Sequence, residues 1–246
     1  MSTKFNTPAS RPALVMAVDR WIYRIGRHWL LIFNGLIGLY VGLPWLAPIF
    51  MKLGWTTAGS LIYLIYSTQC HQLPQRSYFL FGPKLMYSFA EIQAVWQPTN
   101  DANILRQFIG NPDMGWKVAW SDRMVSMYTT TFLAGLLFGL VRKRIKPLTL
   151  RGFALLALPM LLDGGTHLIS ELMAGIGYGF RDSNTWLALL TGHVFSPVFY
   201  AGDALGSFNW WMRLLTGVLF GVGVIWLVYP YVESGVADVL HVPKNK

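Results

Sequence analysis

Long stretches without a charge alternate with short basic clusters along this chain, and that alternation predicts its elements. Residues 29–51 carry no charged side chain, which is enough for the ~20 residues a helix needs to cross a bilayer. Gly38 and Gly42 give this first span a close-packing face. A turn at Lys52 and Gly54 leads to a second apolar stretch at residues 57–70, and a third follows at 124–141 with Gly135 and Gly139. The third stops at the cluster Arg142-Lys143-Arg144-Ile145-Lys146-Pro147. The fourth covers residues 152–173, where Pro159 is expected to bend it, and a fifth covers 208–232.

Between the spans the pattern changes period. Residues 1–11 are polar and read as disordered, while Ala13 to Arg27 places Arg20, Arg24 and Arg27 on one face of an amphipathic helix lying on the membrane surface. The weak apolar core after Pro12 runs into Asp19 and Arg20, not a small-residue cleavage site, so no cleavable signal is expected. Residues 78–121 read as an interfacial insertion with a turn at 79–83, a surface helix at 85–96 and a polar loop at 98–117. Residues 175–207 are Gly-rich, hold Arg181, Asp182 and Asp203, and read as re-entrant or interfacial. The expected fold is therefore all-α. It is a polytopic transmembrane helical bundle of about five spans, with residues 1–28 as tail and amphipathic helix and residues 29–246 as the membrane domain.

Composition agrees: 54% of residues are apolar and 13% charged, against roughly a quarter charged in soluble chains. The 20 Lys and Arg against 11 Asp and Glu cluster between apolar stretches, as headgroup anchors do, and no basic-aromatic strand pattern points to nucleic acid. The bilayer is the expected partner and the cell membrane the expected location. The one cysteine excludes an intrachain disulfide. Orientation is in conflict: five spans with the N-terminus inside put Arg142 to Arg151 outside, against the positive-inside rule. A crossing at residues 77–96 would remove the conflict, but Lys84 and Glu91 make it costly.

Polar residues at helical spacing mark four stripes. They are Gln69, Cys70, His71, Gln72 and Arg76 after the second span; Asp122, Arg123, Ser126 and Thr129 on the third; Asp163, Thr166, His167, Ser170 and Glu171 on the fourth; and Asn209, Arg213 and Thr216 on the last. Charges inside a membrane cost roughly 2.5 to 3.5 kcal/mol even on mild scales, so they turn inward and pair. Arg76, Arg123 and Arg213 against Asp122 and Asp163 leave a positive surplus, suited to a phosphate or carboxylate. No Gly-x-Ser-x-Gly, His-Glu-x-x-His, Walker or dinucleotide motif occurs.

These motifs resemble a polytopic membrane family classed as domain of unknown function 2085. The resemblance rests on Cys70-His71-Gln72-x-Pro74-x-Arg76-Ser77 with Phe79-Leu80-Phe81-Gly82, then Arg123, Asp163-Gly164-Gly165-Thr166-His167, and Asn209 to Gly221. The family's Cys-x-Arg-Cys at the third span is replaced here at Ser121 and Met124, which removes a four-ligand metal set and leaves Cys70, His71 and His167 as conceivable ligands. The insertions at 83–119 and 175–206 depart from the family and are candidates for docking a partner. The resemblance brings no activity with it and leaves the cofactor unknown.

Two functions follow as expectations. In the first, Arg76, Arg123 and Arg213, with Gln72 and Asn209, hold an anionic lipid, amphiphile headgroup or small anion, and His71, Asp163 and His167 are the candidates for proton chemistry. In the second, the protein is an accessory subunit beside other membrane subunits, and the stripes are interhelical glue.

Overall fold

The computed structural model describes residues 13–241; residues 1–11, read above as disordered, lie outside the described residues. In chain order the elements are α1 (Ala13–Arg27), α2 (Trp29–Lys52), α3 (Thr56–Ser67), β1 (Ser77–Leu80), α4 (Phe89–Val95), α5 (Ala102–Leu105), β2 (Gly110–Asn111), β3 (Gly115–Ser121), α6 (Asp122–Val141), α7 (Leu150–Ala174), α8 (Phe180–Ser183), α9 (Thr185–Leu190), α10 (Pro197–Tyr200) and α11 (Phe208–His241). Among the described residues four helices are long and apolar enough to cross a membrane: α2, α6, α7 and α11.

The five-span reading is corrected at α3. Its 12 residues reach about 18 Å at 1.5 Å per residue, short of a ~30 Å hydrocarbon core. The helix ends where Ser67 and Thr68 turn their hydroxyls back onto the carbonyls of Leu64 and Ile65. It then folds along α2, with Gly59 against Met51 and the Tyr66 hydroxyl donating to the carbonyl of Tyr40 at 2.7 Å. Cys70 therefore arrives beside the middle of α2 and not at the opposite membrane face.

The all-α reading is corrected too. Residues 98–117 are not simply a polar loop, because β3 lies between β1 and β2 in an antiparallel sheet. Val118, Ala119 and Trp120 are all fully buried; a strand covered on both faces shows no polar alternation, which hid it from the pattern. Gly115 permits the tight approach of the β2–β3 turn to β1, since its φ is +79° and a Cβ there would stand 2.2 Å from the carbonyl oxygen of Leu80. Phe79, Tyr87, Ile92, Leu105, Phe108 and Met114 form the core beneath the sheet. Within it α4 starts at Ser88, whose hydroxyl accepts from the Glu91 amide while Glu91 accepts from the Ser88 amide.

The spans pack through small residues. A Cβ on Gly217 would meet Ser126 Oγ at 2.7 Å and one on Gly221 would meet the Met127 carbonyl oxygen at 2.5 Å, so α11 lies directly on α6. Gly38 faces the Phe132 ring and Gly135 faces Asn34, whereas Gly42 has nothing within 4 Å. Asn34 donates to the Gly135 carbonyl at 3.0 Å and accepts from the Tyr229 hydroxyl at 2.9 Å, which satisfies a buried amide between α2, α6 and α11.

One end of the bundle gathers several segments. Trp29 donates to Glu233 at 2.9 Å, Arg142 pairs with Glu233 at 3.6 Å, Trp226 donates to the Lys146 carbonyl at 3.0 Å, and Gly26 packs on Val236 and Leu240. The start of α2, the 142–149 link and the last turns of α11 share that end with α1. The sheet, the turn between α2 and α3 and the start of α6 lie towards the other. Because α3 turns back, α1 and Arg142 to Arg151 fall on one side, and the sequence-level conflict over orientation disappears.

Candidate functional site

Strand pairing builds the site. Ser77 pairs with Ser121, so Arg76, at the end of a short 3-10 turn, stands beside the first turn of α6, where β3 runs straight into Asp122 and Arg123. Two further elements converge on this point: α7 with Asp163, His167 and Glu171, and the start of α11 with Arg213. Residues 180–207 close over them.

Ahead of the turn, Gln72 takes a left-handed backbone conformation at φ 51°, which costs a non-glycine residue about 1–2 kcal/mol. Three hydrogen bonds offset that cost. Its amide donates to the carbonyls of Tyr63 at 2.9 Å and Ala119 at 3.0 Å, and its own carbonyl accepts from Lys117 Nζ at 2.7 Å. Lys117 is fully buried and also donates to the Arg106 carbonyl at 2.7 Å. Burial away from any carboxylate partner pushes its amine down to about 7.

The charges form two bridges. In the first, Arg76 donates from Nε to Asp203 at 2.7 Å and pairs through Nη1 with Glu171 at 2.6 Å. Arg213 holds the other side of Asp203 at 2.6 Å and donates from Nε to Asp122 at 2.8 Å. Burial alone would raise the Asp203 carboxyl, but Arg76 and Arg213 hold it well below the usual carboxylate range. In the second bridge, Asp163 accepts from Arg123 at 2.6 Å and from Arg181 at 2.5 Å. Arg181 also reaches Thr166 at 3.3 Å, stands 3.3 Å from His167 Nε2, and lies over the Phe208 ring. Nearby Asp182 is pushed up to about 6 by burial and by the charge of Asp203.

Sequence reasoning counted three arginines against two aspartates. The structure adds Arg181, Asp203 and Glu171, so four guanidiniums meet four carboxylates and the positive surplus of the cluster disappears. Arg181 and Asp203 were visible as charges in an otherwise apolar, Gly-rich stretch, which was the available signal. Their partners lie 18 and 127 residues away in the chain, beyond the reach of helical spacing.

A cavity of about 430 Å³ lies against this cluster. Arg76, Arg123 and Arg213 border it, with Gln72, Cys70, His71 and His167, while Asp122, Asp163 and Asp203 do not. The three aspartates thus lie outside the cavity lining, and Glu171 is the carboxylate on the cavity wall. Leu73, Met124, Leu168 and Ile176 supply its apolar side. Gln69, His71 and Leu168 are exposed at its edge. Arg76 Nη2 is buried with no hydrogen-bond partner among the described residues.

Other expected residues fall elsewhere. Asn209 is buried away from the cavity and clamps backbone, donating to the carbonyls of Arg181 at 2.5 Å and Gly202 at 2.9 Å. Gln72 borders the cavity, but its amide is spent on Tyr63 and Ala119. Cys70, His71 and His167 border one cavity without gathering into a ligand set: among the described residues no three His, Cys, Asp or Glu side chains are placed to hold a metal ion.

A family model described as "Predicted membrane protein (DUF2085)" matches residues 113–201, a little over a third of the chain. The Cys70–Ser77 stretch lies outside the match. The chain is also similar to the uncharacterized protein MJ1492 of Methanocaldococcus jannaschii, at 26% identity over 183 residues, covering 71% of this chain and 90% of that protein. No solved structure matches. Together with four membrane-length apolar helices, these likenesses make the chain a multi-pass membrane protein similar to a family of unknown function.

Proposed function

We propose that the cavity binds the headgroup of an anionic amphiphile, in the service of transport or of chemistry within the membrane. The observation that carries this reading is the layering of charge. Arg76, Arg123 and Arg213 border the cavity while Asp122, Asp163 and Asp203 do not, so a cluster that is neutral in sum sets its cationic members nearer a ligand. Guanidiniums held in fixed orientation suit phosphate or carboxylate oxygens. Arg76 Nη2 is buried beside the cavity lining without a hydrogen-bond partner among the described residues. The mixed edge, with exposed Gln69 and His71 beside exposed Leu168, suits a molecule with a polar head and an apolar tail. Proton handling, if the ligand needs it, falls to His167 and His71, which border the cavity. Asp163 instead positions Arg123 and Arg181.

The test is native mass spectrometry from a gentle detergent doped with phosphatidylglycerol, and separately with inorganic phosphate. Retention of the lipid by the wild type, and its loss in Arg123→Gln with the helical content unchanged, is the expected result. Retention of phosphate alone would replace the amphiphile by a small anion. Equal lipid retention by both proteins would remove the reading.

A second reading is favoured by the completeness of the pairing: the cluster cross-links α6, α7, α8, α11 and the turn before β1 through ion pairs of 2.5 to 2.8 Å. On that reading the protein is an accessory subunit and the cluster is interhelical glue. Arg123→Gln would then lower stability without changing any bound mass.

A further inference from the structure

The two ends of the bundle differ in where their basic residues point. At the end built from α1, the 142–149 link, the start of α7 and the last turns of α11, Arg20, Arg24, Arg27, Arg142, Lys143, Arg144, Lys146 and Arg151 are all exposed. At the cavity end the basic residues are mostly consumed by the fold. Arg76, Arg123, Arg181 and Arg213 are locked in the ion-pair cluster, and Lys117 is fully buried against carbonyls. Lys52 and Lys84 are exposed there, the latter paired with Glu91, and Arg106 is half-buried, donating to the Ser67 carbonyl.

This asymmetry has a direction. Lys and Arg in short links and flanking segments are retained on the cytoplasmic side during insertion, whereas acidic residues count little. Basic residues near the membrane surface are further attracted to an anionic inner leaflet. The link between α6 and α7 is among the shortest between spans and carries four basic residues, with Arg151 just inside α7. An even number of spans puts α1 and the end of α11 on that same side.

We infer that the basic end faces the cytoplasm and that the sheet, the Arg–Asp cluster and the cavity face the opposite side, so the cavity draws its anionic amphiphile from the non-cytoplasmic leaflet. The choice of leaflet rests on the ligand reading proposed above; the facing of the two ends does not.

The test is thiol labelling of the full chain in intact cells, in a Cys70→Ala background that removes the natural thiol. Lys84→Cys marks the cavity end and Lys143→Cys the basic end; both positions are exposed and neither borders the cavity. With a membrane-impermeant maleimide, Lys84→Cys is labelled in intact cells and Lys143→Cys only after permeabilisation. The reverse pattern, labelling of both in intact cells, or labelling of both only after permeabilisation overturns the assignment. The labelling reads the facing without any ligand and the mass spectrum is taken with Cys70 in place, so a wrong facing and a wrong ligand give separate failures.

Discussion

Asp163 is the residue on which the second charge bridge turns, and its replacement has a calculable cost. Its side chain is about 1% exposed and accepts from Arg123 and Arg181, which are 19% and 6% exposed. Asp163→Asn keeps the volume, removes the charge, and turns an amide donor towards one of two guanidiniums. Breaking a buried pair by removing one partner costs about 3–5 kcal/mol, most of it from the charge left unmatched. Here two cations are left, but Arg123 borders the cavity and can be hydrated, so the cost stays within that range. For a chain of this size about 2–4 °C of melting temperature accompany each kcal/mol, giving a fall of about 6–20 °C. The assay is thermal unfolding in detergent followed by tryptophan fluorescence, in wild type, Asp163→Asn, and Asp163→Asn with Arg181→Met. The double variant removes the more deeply buried cation and is expected to recover part of the loss. A single variant melting within about 2 °C of wild type, or a double variant no better than the single, would refute the claim that charge matching holds α6, α7 and α8 together.

Lys117 predicts a pH dependence whose sign follows from burial. Its folded value is about 7, while the unfolded lysine titrates near 10.4, so between the two the unfolded chain binds a proton that the folded chain does not. Stability therefore rises with pH across that window by up to about 1.4 kcal/mol per unit and is flat below it. Lys117→Met removes the rise, and equal slopes for the two proteins from pH 7 to 9.5 would exclude a neutral buried amine. Gly217→Leu forces a side chain against Ser126 and the Met127 backbone, within 3.0 Å, and is expected to cost about 1–3 kcal/mol by overpacking, read as a lower melting temperature. Gly42→Leu meets open space and leaves melting unchanged. Asp203→Asn removes the carboxylate shared by Arg76 and Arg213 and should destabilise by about 3–5 kcal/mol; a double variant with Arg76→Gln that shows no coupling would argue that the two arginines act independently.

The four long helices were legible because an uncharged stretch of membrane length has few alternatives, although α11 runs to His241, past the expected end at 232. α3 and β3 were not. The stretch at 57–70 is as apolar as a span, and only its packing against α2 shows that it turns back after Ser67. β3 lacks alternation because α2 packs against it and Val118, Ala119 and Trp120 are all buried whichever face they take. Of the site, Arg76, Arg123, Arg213, Asp122 and Asp163 were marked by the cost of charges near spans, and the structure brings all five together. Asn209, marked by the polar stripe it shares with Arg213, serves the backbone instead.

What the sequence alone determined is therefore one-dimensional: which segments are apolar for long enough to enter a bilayer, and which charges sit beside them at a cost that requires partners. What the tertiary structure decided is the pairing. Arg76 meets Asp203 across 127 residues of chain and Arg213 meets Asp122 across 91, distances over which helical periodicity carries no information. That pairing changed a positive surplus into a balanced cluster. The short return of α3 did the same for topology, setting the parity of crossings and bringing the basic segments to one end. Both depend on which surfaces are covered by other parts of the chain, and coverage exists only in three dimensions.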